Sequence, residues 1–426
     1  MHVSALEFCE QPRLQSLPPK LRAAVAAGTK MADCSVAAAL ALGIRQADAE
    51  DAFFVADLGE VKRQFEMWQR ELPRAQPFFA VKCNPDPLVV KLLARLGAGF
   101  DCASRAELQQ VLEEGVSPNN VIYAHPCKPG SHLRYAERMG VEMMTFDNAD
   151  ELLKISQLYP GAKAVLRILA DDSASLCRLG MKFGAAPESA EGLLRVARDL
   201  GVRVVGVSFH VGSGCFSELA YADAVGRARR VFDQAAALGM PMELLDVGGG
   251  FPGRGDGSGL SFGQVAQALG EALDQYFPLD QFAHVRVIAE PGRFFVSSAF
   301  TLAVNIVARR VEMTADGSRA FMYYVNDGVY GSFNCIIFDH QHPQPRVLES
   351  SRRVDGQQAL FESSIWGPTC DSMDCIVPTV QLPELQVGDW LVFDNMGAYT
   401  VSAASRFNGF QISEVVYVDT ESTLLA

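Results

Sequence analysis

Cysteines at metal-binding spacing are missing from this chain. Its ten cysteines include no Cys-x-x-Cys pair, which speaks against a structural zinc site. Ten in 426 residues is also too sparse for a disulfide framework, so reduced thiols and a cytosolic setting are expected. Long apolar runs are missing too. The longest near the N-terminus, Val36 to Ile44, is about half of the ~20 residues that a membrane span needs. The opening residues hold acids and prolines where a secretory signal would hold a basic start and an apolar block, so no such signal is expected. Positive charge is scarce: 37 Lys and Arg stand against 50 Asp and Glu, a net −13. That disfavours nucleic acid and anionic membrane as partners and suits a cationic small substrate. Internal repeats and low-complexity tails are absent.

What is present is ordinary globular material, 49% hydrophobic and 20% charged, enough for a large core in two or more domains. Eight short apolar runs are each followed by a helical pattern. They are Phe78 to Lys82, Gly99 to Cys102, Val121 to Ala124, Met143 to Phe146, Ala164 to Ile168, Val204 to Phe209, Leu244 to Val247 and Val285 to Ala289. Segments such as Ser104 to Glu114 and Leu193 to Leu200 are apolar at helical spacing, and Asn84-Pro85 and Asp147-Asn148 suit helix starts. Alternation of this kind predicts a parallel sheet. Eight units close into a (β/α)8 barrel, with an open doubly wound sheet as the competing reading. After about residue 299 the helical patterns stop. Ala303 to Ala308, Phe321 to Val325, Ser364 to Trp366, Trp390 to Phe393 and Ile412 to Val418 read as strands. The expected organisation is an N-terminal segment over 1–50 packing with the β domain, a barrel over 51–298 and an α-poor β domain over 299–426.

The eight strand ends carry Lys82, Asp101, His125, Asp147, Arg167, His210, Gly248 to Gly250 and Glu290. In a barrel these form one ring at the catalytic rim. Lys82 directly follows an apolar strand, where desolvation would lower its pKa and free the amine for Schiff-base chemistry; a structural ion pair with Asp101 is the alternative. Gly248 to Gly250 could let backbone N–H groups meet an anion, or be just a tight turn. Gly212-Ser213-Gly214 adds a second permissive loop, and Glu290-Pro291-Gly292-Arg293 adds a carboxylate and a guanidinium. Together they suit a phosphorylated aromatic aldehyde with a basic ring nitrogen, such as pyridoxal phosphate. Cys370 lies in a Gly-Pro loop beside Asp371; an acidic neighbour raises a thiol pKa, favouring a proton donor over a nucleophile. His340-x-His342 has no evident third ligand, so no metal is expected.

These residues resemble a known family. Pro77 to Asn84, Phe100 to Ser104, Val207 to Gly214, Asp246 to Phe251, Glu290 to Arg293, Asn326 to Ser332, Trp366 to Asp371 and Asn395 to Tyr399 are similar, in order, to eukaryotic ornithine decarboxylases. These are pyridoxal-phosphate enzymes of the alanine-racemase-like fold type. The likeness runs from about residue 50 to 411. It implies a (β/α)8 TIM barrel that binds pyridoxal 5'-phosphate, with a C-terminal β-sandwich or Greek-key β-barrel domain, and decarboxylation of ornithine to putrescine. By residue, it implies that Lys82 holds the cofactor aldehyde, that His210 stacks on the ring and that Glu290 keeps the ring nitrogen protonated. Ser213, Gly250, Pro291, Gly292, Arg293 and Tyr399 would line the phosphate site, with Asp101 and Arg167 in support. Cys370, arriving from a second subunit of a homodimer, would protonate the α-carbon. Asp339 and Asp371 would grip the distal ammonium through charge-assisted hydrogen bonds, each worth ~1.5–3 kcal/mol. Phe338 stands where the family often has tyrosine, a departure that bears on ornithine against lysine. Antizyme is an implied partner, and an antizyme-inhibitor-like regulator the non-enzymatic reading. The chain ends soon after Val418, so the long destabilising tail of some animal relatives is not expected.

Overall fold

The computed structural model describes residues 35–45, 51–215, 217, 219–254, 259–348 and 359–421. Most of the expected segment over 1–50 lies outside them. The strands run in chain order β1 (Phe53–Asp57), β2 (Ala75–Ala80), β3 (Gly99–Cys102), β4 (Val121–Tyr123), β5 (Met143–Phe146), β6 (Lys163–Arg167), β7 (Ser175–Cys177), β8 (Arg203–Ser208) and β9 (Ser213–Cys215). They continue with β10 (Leu244–Asp246), β11 (Arg286–Ala289), β12 (Phe300–Met313), β13 (Arg319–Val325), β14 (Pro345–Val347), β15 (Leu360–Trp366), β16 (Cys375–Pro383), β17 (Trp390–Phe393) and β18 (Glu414–Val418). The described residues fall into two compact units. One holds residues 61–298 and 338–341; the other holds those up to Glu60, 299–337 and 342 onward.

The first unit is a closed barrel in the order β10-β11-β2-β3-β4-β5-β6-β8, so the closed reading holds over the open sheet. Each barrel strand is a short, apolar run buried on both faces, which a parallel sheet covered by helices requires. Phe78, Ile122, Met143, Val165, Val205, Leu244 and Ile288 form one interior cluster, contributed by seven of the eight strands. Helix boundaries follow local chemistry. Ser104 caps Arg105–Glu113 by accepting from the Glu107 N–H, and Asn148 caps Ala149–Leu158 by accepting from that of Glu151. The start expected at Asn84-Pro85 falls two residues later. Asp86 is the cap of Pro87–Leu96, and Asn84 instead accepts the Asp86 N–H at 3.0 Å.

Beyond β4 the chain is fastened by a buried cation. The Lys128 ammonium reaches the carbonyl oxygens of Thr145 at 2.6 Å and His125 at 3.1 Å, and Glu151 Oε1 at 2.9 Å. Burial pushes its pKa down to about 8, against the upward pull of Glu151. In the unfolded chain the group titrates near ~10.4. Between about pH 8 and ~10.4 the unfolded state therefore binds more protons here, and this lysine adds stability as pH rises. Urea midpoints measured from pH 8 to 10 should rise less steeply in Lys128→Met; an identical slope in both proteins would show that another group titrates.

The second unit is built on an eight-stranded sheet. Its main path is β14-β17-β12-β13-β15-β16, and β1 pairs with β12 and β18. Its pairings are mainly antiparallel, with β1–β18 and β13–β15 parallel. The helix Val36–Arg45 packs Ala39 and Leu40 against Val55, Ala303, Trp390, Val392 and Val418. No helix among the described residues is long and apolar enough to cross a membrane.

Candidate active site

Parallel pairing aligns the C-terminal ends of the barrel strands on one rim, with Asp101 opposite Ala80, Arg167 opposite Ser208, and Asp246 opposite Ile288. On this rim β2 stops at Ala80, and Lys82 sits in the 3-10 turn Val81–Cys83. The turn corrects the expectation of a desolvated lysine. The Lys82 side chain is 39% exposed, and its ammonium pairs with fully buried Asp101. A residue on the turn points into the open rim, whereas one within the strand would lie among its neighbours. The ion-pair alternative is the one observed, and it leaves the amine accessible without the desolvation on which the other reading rested. The other oxygen of Asp101 has no hydrogen-bond partner among the described residues.

His210 follows β8. Its Nδ1 accepts the Gly212 N–H at 3.0 Å, which leaves the ring proton on Nε2. Burial first, then the Arg167 and Lys82 charges, hold its pKa well below the usual 6.5, so the imidazole is neutral at physiological pH. Beside His210, at the ends of the next two strands, fully buried Asp246 and half-buried Glu290 bring their carboxyls into hydrogen-bond contact. Asp246 accepts the Gly248 N–H at 2.9 Å, and burial pushes it up to about 7. Burial and the Asp246 charge push Glu290 well above the usual carboxyl range. A pair of this kind retains a proton at neutral pH, which Glu290 could present to a basic ring nitrogen. The role of Asp246 as the partner behind Glu290 does not show in the sequence, where the residue appears only within the run Leu244 to Val247 and at the head of the glycine motif.

The glycine run is a tight loop with unclaimed donors. Gly248 has φ +66°, and a Cβ there would lie 2.0 Å from the Phe209 carbonyl oxygen. Gly250 has φ +97°, and a Cβ there would lie 2.4 Å from that of Gly212. Neither Gly249 nor Gly250 donates its N–H to an acceptor among the described residues. Free backbone N–H groups on a loop too tight for side chains fit a phosphate. With the primary amine of Lys82 and the raised carboxyl of Glu290, the rim fits a phosphorylated pyridine aldehyde.

The remaining residues are distributed as follows. Ser213 begins β9, which pairs antiparallel with β7 in a two-stranded sheet. Gly292 packs close on Cys83, whose Cβ would be 2.8 Å from an added Cβ. Arg293 forms a buried ion pair with Asp339, joining a residue expected at the phosphate to one expected at the substrate. Phe338 is 66% exposed. Arg167 lies 5.4 Å from the ring centre of Phe183. Two rim residues hold the loop that carries Phe183: His125 packs on its ring at 5.6 Å, and Asp147 accepts the Gly184 N–H at 2.9 Å. Cys370, Asp371 and Tyr399 belong to the second unit. There Cys370 is exposed, and its N–H donates to Asn408 Oδ1 at 3.2 Å. Asp371 accepts from the Tyr330 hydroxyl and from the Met373 N–H. These bonds, that of Met373 first, hold its carboxyl below the usual range. Tyr399 has a left-handed backbone, φ +53°. No cluster of metal-binding side chains occurs among the described residues.

A family model described as pyridoxal-dependent decarboxylase, pyridoxal binding domain, matches residues 58–297. The ornithine decarboxylase of Schizosaccharomyces pombe is 54% identical over 379 residues, covering 87% of this chain and 84% of that protein. Antizyme inhibitor 2 of Xenopus laevis is also 54% identical, over 381 residues, covering 88% and 82%. Among solved structures, the arginine decarboxylase of Paramecium bursaria Chlorella virus matches with a TM-score of 0.84 at 36% identity, covering 90% of this chain and 100% of that one. With a match across more than half its length, lying over the barrel and its rim, this chain belongs to the pyridoxal-dependent decarboxylases.

Proposed function

We propose that this chain removes the carboxyl group of L-ornithine, releasing carbon dioxide and putrescine, with pyridoxal phosphate as cofactor. The observation that carries this reading is the rim itself: an ion-paired but accessible Lys82 amine, a neutral His210 and a proton-retaining Glu290 around one glycine cradle. The identity to an ornithine decarboxylase over most of both chains supports the choice of substrate.

When bound, pyridoxal phosphate supplies a conjugated ring that takes up the electron pair left as the carboxylate departs. The chain's residues prepare for this. Asp101 keeps the Lys82 amine at the mouth. Glu290 holds a proton for the ring nitrogen, which strengthens electron withdrawal. Neutral His210 offers a flat face without repelling a cationic ring. Gly249 and Gly250 present N–H donors to the phosphate, with Ser213, Pro291, Gly292, Arg293 and Tyr399 assigned there as well. Cys370 delivers the proton to the α-carbon, and Asp339 and Asp371 take the distal ammonium. We assign Cys370 and Asp371 to the site of a second copy, in a cytosolic homodimer, with antizyme as a further partner.

Two rival readings have an observation each. Similarity to antizyme inhibitor 2 would suit a regulator that has lost catalysis, but Lys82, Glu290, Cys370 and Asp371 are all retained. Phe338 in place of a tyrosine would suit a lysine-preferring or dual enzyme. One methylene of difference is worth only ~1–3 kcal/mol, so lysine is expected as a slower substrate, turned over with kcat/KM about 10- to 200-fold below that of ornithine. A substrate panel on purified protein with added cofactor decides both. No carbon dioxide from any basic amino acid would favour the regulator. In Phe338→Tyr the ornithine-to-lysine ratio should rise, and an unchanged ratio clears Phe338 of a part in selection.

A further inference from the structure

The glycine cradle is held from behind by a residue outside every motif of the rim. Tyr221 lies on the helix Leu219–Ala237 and is fully buried. Its hydroxyl donates to the Gly249 carbonyl oxygen at 3.2 Å. Burial pushes that hydroxyl well above its ordinary pKa of 10, so it remains a donor at any physiological pH. The Tyr221 ring packs on Phe251 at 5.4 Å, and Phe251 meets Trp68 at 4.7 Å. Trp68 also contacts Phe294 and Phe295, which directly follow Arg293. One aromatic cluster therefore backs both the glycine run and the Gly292-Arg293 turn.

A trans peptide is planar, so its C=O and N–H point in opposite directions, and no cis peptide occurs among the described residues. A Gly249 carbonyl drawn back onto Tyr221 turns the Gly250 N–H away from the helix. That N–H has no acceptor among the described residues, and a backbone donor in such a confined loop requires one. Gly250 cannot adapt by gaining a side chain, because a Cβ would lie 3.0 Å from the Tyr221 hydroxyl oxygen and closer still to Gly212.

We propose that Tyr221 is a positioning residue for the phosphate cradle, its hydroxyl orienting the Gly249–Gly250 peptide so that the N–H faces the phosphate of the cofactor. The proposal rests on the cofactor site proposed above. Tyr221→Phe tests it, because the ring and its packing on Phe251 stay while the donor goes. The full chain, freed of cofactor, is titrated with pyridoxal phosphate and separately with pyridoxal, which lacks the phosphate, following quenching of tryptophan emission. The variant should bind pyridoxal phosphate about five-fold more weakly, the scale of one lost hydrogen bond, and pyridoxal as well as before. Unchanged affinity for pyridoxal phosphate overturns the proposal, as does an equal loss for both ligands, which marks general loosening of the core. A wild-type chain that does not distinguish the two ligands would sink the cofactor site itself, whereas full discrimination surviving in the variant sinks only Tyr221.

Discussion

Lys82→Ala should lower carbon dioxide release from ornithine by at least about 10⁴-fold with saturating pyridoxal phosphate present. The reason is proximity. A tethered, oriented amine acts at an effective concentration of ~10⁵ M or more, and no other lysine shares this turn at the rim. The loss should appear in kcat, because the phosphate cradle and Glu290 still bind the cofactor. Two measurements check it: release of labelled carbon dioxide, and loss of the absorbance that distinguishes a lysine-linked cofactor from a free aldehyde. Wild-type turnover in the alanine variant would remove covalent attachment from the mechanism. Retained absorbance without turnover would place the attachment on another amine. In the same variant Asp101 loses its cation, leaving a buried carboxylate uncompensated, so some loss of stability accompanies the loss of activity. Measuring kcat only on protein with the wild-type circular dichroism spectrum separates the two.

Glu290→Gln is the second large effect, a fall in kcat of about 10²–10³-fold, the scale of removing one preorganised electrostatic partner from a buried site. Glutamine keeps the size and can donate a hydrogen bond, but it has no acidic proton to share with the ring nitrogen. The pair with Asp246 explains why the native carboxyl has one available. Burial opposes ionisation of both groups, and the Asp246 charge opposes that of Glu290, while a hydrogen bond from Glu290 favours the ionised Asp246. The ornithine KM should change little, since Glu290 is assigned to the ring and not to the substrate ammonium. A drop confined to KM would reassign Glu290 to substrate binding, and unchanged kinetics would show that ring protonation has another source.

Several elements were readable from local pattern. Each barrel strand overlaps a short apolar run followed by a helical pattern, and that alternation located all eight. Some barrel helices carry their own caps in the sequence, as at Ser104 and Asn148. The elements that escaped notice are those whose partners are remote or whose length is minimal. Strand β1 pairs with residues near 300 and 416, a relation that no local window contains. Strands β7, β9 and β14 have three residues each and, unlike the equally short β4 and β10, lie in no apolar run followed by a helical pattern. Strand β16 contains Pro378, which reads as a strand breaker. It is tolerated because β16 lies at the end of its sheet path, where a missing N–H leaves no neighbour unpaired.

The same division runs through the site. Residue identity and order pointed to a cofactor chemistry once read together, because a lysine, an imidazole, a glycine run and a glutamate at strand ends are unusual in apolar surroundings, although each alone had a structural alternative. They could not reveal state or support. Whether Lys82 lies within a strand or on a turn, whether Arg293 faces a phosphate or Asp339, and which carboxyl backs Glu290 depend on packing across the barrel. Tyr221 is the clearest case: it stands 28 positions before Gly249 and looks like one more apolar helix residue until folding brings its hydroxyl to that carbonyl. Chemical type is a property of the chain, written one residue at a time. Burial, protonation and the direction of a peptide group are properties of neighbours, and only the closed barrel determines which residues become neighbours.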